Sequence, residues 1–86
     1  MKTVILLSLY ISVANGCGNN AYRCVNPAGS VLQDWEVTQS CMTKVGFSDT
    51  CWCYHYAENF ADPTGDNIEA FKNCCLSYPN YNYREC

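Results

Sequence analysis

The chain has 86 residues, 8 of them cysteine, and a formal net charge of −3. Its 5 lysines and arginines form no cluster, so nucleic acid and anionic membranes are poor partners and a cationic lytic peptide is disfavoured. A chain this short builds one domain with a limited core, and an even cysteine count points to disulfides as its staples.

The chain opens with Met1-Lys2-Thr3, an apolar run from Val4 to Val13, and then Ala14-Asn15-Gly16. A basic start, a short apolar stretch and small residues at the cleavage positions predict a secretory signal peptide over 1–16. The run is shorter than the about 20 residues a spanning helix needs, so stable membrane insertion is not expected. The predicted mature domain is 17–86. It is secreted, monomeric, one unit more negative once Lys2 leaves, and closed by four disulfides among Cys17, Cys24, Cys41, Cys51, Cys53, Cys74, Cys75 and Cys86.

From Cys17 to Gly29 no helical period is present, and the turn formers Gly18-Asn19-Asn20 and Asn26-Pro27 predict an irregular arm, with room for a short strand. Ser30-Val31-Leu32-Gln33 has the form of a capping box. Val31, Trp35, Thr38, Met42 and Val45 then recur at helical spacing, widened by Leu32, and Gly46 can close the helix in a left-handed conformation. The prediction is a helix over 31–45 with that stripe in the core.

Ser48 and Asp49 read as the start of a second helix, with Phe47 and Trp52 as a hydrophobic staple. Trp52, Tyr56 and Phe60 share one helical face, and Asp62-Pro63 stops the run. This predicts a helix over 49–61. Asp66-Asn67-Ile68-Glu69 reads as another capping box, followed by a face of Ile68, Phe71 and Cys75, so a third helix is predicted over 67–77. The tyrosine-rich tail from Tyr78 to Cys86 is predicted irregular. The expected fold is therefore mainly α, a small disulfide-stapled three-helix domain running up-down-up, with an irregular N-terminal arm and C-terminal tail. That arrangement would gather Cys41, Cys51, Cys53, Cys74 and Cys75 at one pole.

Cys51-Trp52-Cys53 is the organising stretch. A bond between 51 and 53 would be strained, so each sulfur must reach a different segment. On a helix the two would face nearly opposite sides, about 200° apart. The N-terminal arm and the tail are the most plausible partners. Cys74 and Cys75, about 100° apart on their helix, can likewise hold two segments, and one of them is expected to bond to Cys41.

No catalytic set is found. His55 is the one histidine. Cys51, Cys53 and His55 have ligand-like spacing, but oxidised cysteines do not bind zinc, so no metal is expected. His55 and Glu58 lie one helical turn apart and could form an acid–base pair; an exposed helix pair is the plainer reading. Asp62, Asp66 and Glu69 fit capping better than a calcium loop. Among the aromatics, Trp35, Trp52, Phe60 and Phe71 are expected in the core. Tyr54, Tyr78, Tyr81 and Tyr83 form the candidate recognition surface, since exposed tyrosines beside asparagines suit binding.

A leader, eight cysteines and an acidic body resemble the small secreted cysteine-rich proteins of filamentous fungi, many of them effector-like. Asp49-Thr50-Cys51-Trp52-Cys53 is also similar to the Asp and Cys-x-Cys segment of fungal CFEM domains, in which the aspartate is a haem ligand. The Cys17-x6-Cys24 spacing and the Cys74-Cys75 doublet depart from the CFEM pattern. The expected function is a secreted, non-enzymatic cysteine-rich binding protein, effector-like, acting without a cofactor on an extracellular or host protein. The alternatives are a CFEM-like haem or lipid carrier, and a secreted toxin or pheromone-type signal.

Overall fold

The computed structural model describes residues 16–86, so nearly all of the predicted leader lies outside the described residues. Two helices pack on a four-stranded antiparallel sheet. In chain order the elements are β1 (Tyr22–Val25), α1 (Val31–Val45), β2 (Thr50–Cys53), β3 (Glu58–Ala61), α2 (Asn67–Ser77) and β4 (Asn82–Glu85). The strand order across the sheet is β2-β3-β1-β4.

The expectation of a three-helix, mainly α domain is thus overturned. Residues 49–61, predicted helical, form the β2–β3 hairpin, and the tail predicted irregular forms β4. Thr50-Cys51-Trp52-Cys53 alternates exposed and buried, the period of a strand rather than of a helix. Cys51 faces Phe60 across the hairpin and Trp52 faces Asn59. Aromatics at 52, 56 and 60 satisfy a helical face, but the turn between Cys53 and Glu58 breaks that period and leaves Trp52 and Phe60 on opposite faces of the hairpin. The loop closes with Ala57 donating its N–H to the Cys53 carbonyl at 2.7 Å. Ala57 has φ 56°, a left-handed conformation that costs an L residue about 1–2 kcal/mol.

The other two helices keep their predicted bounds. Ser30 and Gln33 complete the capping box of α1. Gly46 (φ 104°) ends it, with the N–H groups of Gly46 and Phe47 both donating to the Met42 carbonyl. At α2 the expected box fails, because Asp66 is itself helical in backbone and makes no side-chain cap bond. The stripe on α1 is also corrected at its first turn: Val31 is 61% exposed and Leu32 78%. Full burial begins two turns later, at Thr38, Cys41 and Met42, with Trp35 in between only partly buried.

Adjacent residues of a strand point to opposite faces, and two clusters form accordingly. Tyr22, Cys24 and Ala61 join Met42, Phe71, Cys41 and Cys75 beneath the helices. Ala21, Cys51, Cys53 and Phe60 make a smaller cluster, with Cys17 and Cys86 packed against it. The disulfides follow these clusters: Cys24–Cys75 and Cys41–Cys74 in the first, Cys17–Cys51 and Cys53–Cys86 in the second. Cys41 therefore bonds to one member of the helix doublet, and the Cys-x-Cys pair holds arm and tail. The common pole does not form, since an up-down-up bundle is absent and the five sulfurs divide between the clusters. The geometry of the Cys-x-Cys pair is corrected too. On β2 both sulfurs point to one face, where residues two apart belong.

Cys41–Cys74 ties α1 to α2 across a sequence separation of 33. Replacing both residues by alanine should lower unfolding free energy by roughly 2–4 kcal/mol. Chemical denaturation checks this, and a loss below about 1 kcal/mol would mean that packing alone holds the two helices.

Candidate functional site

β1 and β3 pair at Tyr22 and Ala61 alone, then diverge. Divergence leaves buried backbone groups that must find other partners. The Cys24 N–H donates to the Thr38 hydroxyl at 2.9 Å, and that hydroxyl donates onward to the Asp34 carbonyl at 2.8 Å. On the β3 side, Nη1 of Arg23 donates to the Asn59 carbonyl at 2.7 Å. Its Nη2 donates to the Val31 carbonyl at 3.0 Å. One guanidinium thus seals the gap between two strands and fastens the start of α1 over it.

Arg23 is only 3% exposed, so its charge needs a counter-ion. Glu58 Oε1 lies 3.4 Å from its Nε. The same oxygen accepts from Nη2 of Arg84 at 3.0 Å. Burial pulls the Arg23 pKa below its ordinary value, while Glu58 and Asp34 oppose the shift. The Arg23 guanidinium lies over the Trp35 ring at 5.0 Å, and that of Arg84 over Tyr56 at 4.1 Å. Tyr56 in turn stacks on Phe60.

Above this seal lies a cleft of about 250 Å³ between α1 and the hairpin. Arg23, Glu58, Asn59 and Trp35 line it together with Trp52, and Val31 and Leu32 stand at the start of α1. Trp52 was expected in the core but is 40% exposed. Its outward position follows from the strand: with Cys51 and Cys53 turned in to their bridges, the residue between them turns out. A larger depression of about 470 Å³ runs along the polar side of α1 past Glu36, Gln39 and Lys44 and has no aromatic wall.

The tyrosines expected to form one recognition surface are dispersed. Tyr54 follows β2 and is 66% exposed. Tyr83 belongs to β4, the opposite edge of the sheet, where it packs edge-on against Tyr22 with Lys72 over both rings. Tyr78 and Tyr81 pack edge-on against each other and are half-buried. Lys44 Nζ donates to the Tyr78 hydroxyl at 3.0 Å and lowers its pKa. Burial raises that of Tyr81.

His55 stacks edge-on against Tyr56, and Glu58 pairs with the two arginines instead of with His55. Asp49 precedes β2, where its carbonyl accepts from Asp62 N–H, and it does not line the cleft. The sulfurs of Cys24, Cys41 and Cys75 converge within 4.8 Å, but all three are bound in disulfides and offer no thiolate. No helix among the described residues is long and apolar enough to cross a membrane, and four disulfides are typical of extracellular proteins.

Arg23 and Asn59 carried no signal in the sequence, and Thr38 read only as part of the core stripe of α1, not as a hydrogen-bonding group. Each acts through a backbone group that only the diverging strands leave unpaired. No family model, curated protein or solved structure matches this chain.

Thr38→Val keeps the side-chain volume and strands the buried Cys24 N–H. It should cost about 1–3 kcal/mol in a denaturant titration, whereas Thr38→Ser, which keeps the hydroxyl, should lose less. A valine variant as stable as the parent would show that this hydrogen bond does not hold the structure. Arg23→Lys keeps the charge but cannot fork to two carbonyls, and a loss of about 2–4 kcal/mol is expected by the same measurement. A lysine variant as stable as the parent would refute the seal.

Proposed function

We infer that this chain is a secreted, non-enzymatic binding protein of the effector-like kind, acting on an extracellular or host partner. The observation that carries the reading is the surface around the cleft. Val31, Leu32 and Trp52, half of the six exposed large hydrophobic residues among the described ones, gather there. Apolar side chains gathered on the surface of so small a domain are a liability unless something covers them. Aromatic residues ringed by polar ones are also the usual make-up of an interface centre.

The frame beneath supports the same reading. Trp52 stands between two bridged cysteines, and Trp35 lies against a fixed guanidinium. Side chains held in place before contact lose little freedom on binding. The acidic charge and the leader predicted over 1–16 agree with a partner met outside the producing cell.

Fluorescently labelled protein should bind saturably to the surface of partner cells. Trp52→Ala combined with Leu32→Ser should weaken that binding at least tenfold while the variant stays folded at the assay temperature, since Leu32 is 78% exposed and Trp52 40%. Undiminished binding by the double variant would place the interface elsewhere, and absence of any saturable binding would remove the reading.

A further inference from the structure

The cleft is chemically more specific than a general sticky surface, and its ligand class can be argued, given that it belongs to the binding face inferred above. We propose that it holds a neutral pyranose unit of a glycan.

Size comes first. At about 250 Å³ the space is smaller than the roughly 300–1,000 Å³ of drug-sized sites, so it suits one ring of a chain that continues into solvent. The walls come next. Two indoles, Trp35 and Trp52, line the space. The negative π face of an indole attracts partly positive hydrogens, and the C–H face of a pyranose presents a row of them.

The floor decides between classes. Glu58 uses Oε1 for both arginines, and Oε2 has no protein partner among the described residues. The Asn59 side-chain amide has none either, and Asn59 is exposed beside the cleft. Arg23 has five N–H groups, of which two reach carbonyls and a third faces Glu58. The floor therefore offers donors and an acceptor side by side, the pattern that adjacent hydroxyls of a sugar satisfy. An aliphatic side chain from a protein would cover these groups without pairing them, at the cost of burying unsatisfied polar atoms.

Charge removes the remaining classes. Arg23 and Arg84 are balanced by Glu58 and by Asp34, whose charge also acts on Arg23, so an organic cation finds no net negative charge to draw it. An anion gains little, because Glu58 already compensates Arg23 and the chain is acidic. A neutral polyol is left.

The test is an NMR titration of the disulfide-intact protein, following the indole N–H signals of Trp35 and Trp52. The probes are cellohexaose, laminarihexaose, mannohexaose and hexa-N-acetylchitohexaose, with choline and a heparin hexasaccharide as the charged comparisons. Ovalbumin before and after removal of its N-glycans separates a protein-linked sugar from a free chain. At least one neutral probe should shift both indoles saturably. Trp52→Ala should weaken that binding at least tenfold and Asn59→Ala roughly threefold or more, while Leu76→Ala, exposed on α2 outside the cleft, should leave it unchanged.

Shifts with choline or heparin alone would overturn the ligand class. If no neutral sugar shifts the indoles while cell-surface binding stays sensitive to Trp52 and Leu32, the sugar assignment fails and the binding face stands. If both are absent, both fail.

Discussion

Each of the four bridges has one end in one of two cysteine doublets, Cys51-x-Cys53 and Cys74-Cys75, and the rest of the structure depends on this. Adjacent sulfurs on a helix diverge by about 100°, so α2 grips α1 through Cys74 and β1 through Cys75. Alternate residues on a strand share a face, so β2 grips the arm through Cys17 and the tail through Cys86 from one side. Neither grip would be available with the doublets exchanged. Each spacing suits the element that carries it. With Phe60 and Phe71 the largest fully buried side chains, the apolar interior is small, and covalent closure stands in for area.

Closure on both faces has a consequence for the sheet. The second cluster draws Cys51, Cys53 and Phe60 one way, while Cys24 is drawn to α2 the other way. β1 and β3 part after a single register pair, and the backbone they expose is satisfied by Thr38 and Arg23. The buried guanidinium then requires Glu58, and Glu58 takes up Arg84. A polar network of this kind is tolerated because nearly every member is paired; Nε of Arg84 is the buried exception among the described residues.

The cleft is a product of that divergence. Where β1 and β3 separate, α1 is held over the gap by the Val31 carbonyl, and its first turn projects Val31 and Leu32 into solvent. Trp52 rises opposite them because its two neighbours turn inward. The exposed apolar surface and the polar floor beneath it therefore have one structural origin, and together they make a place where one molecule could engage both.

The sequence by itself determined the two helices, because their signals are local. A serine and a glutamine three apart, a glycine one past the last turn, and a 3.6-residue period act within one segment. It also determined that neighbouring cysteines must look to different partners, since strain forbids the short bond. Only the tertiary structure decided residues 50–61, because the helical spacing of Trp52, Tyr56 and Phe60 is a local signal that the hairpin turn overrides, placing Trp52 and Phe60 on opposite faces. Two sulfurs had to face one side to meet Cys17 and Cys86, and a helix places them on opposite sides. The cleft was beyond reach of the sequence for the same reason. Arg23 is buried by strands and a helix distant in the chain, and nothing beside it in sequence records which carbonyls those elements would leave unpaired.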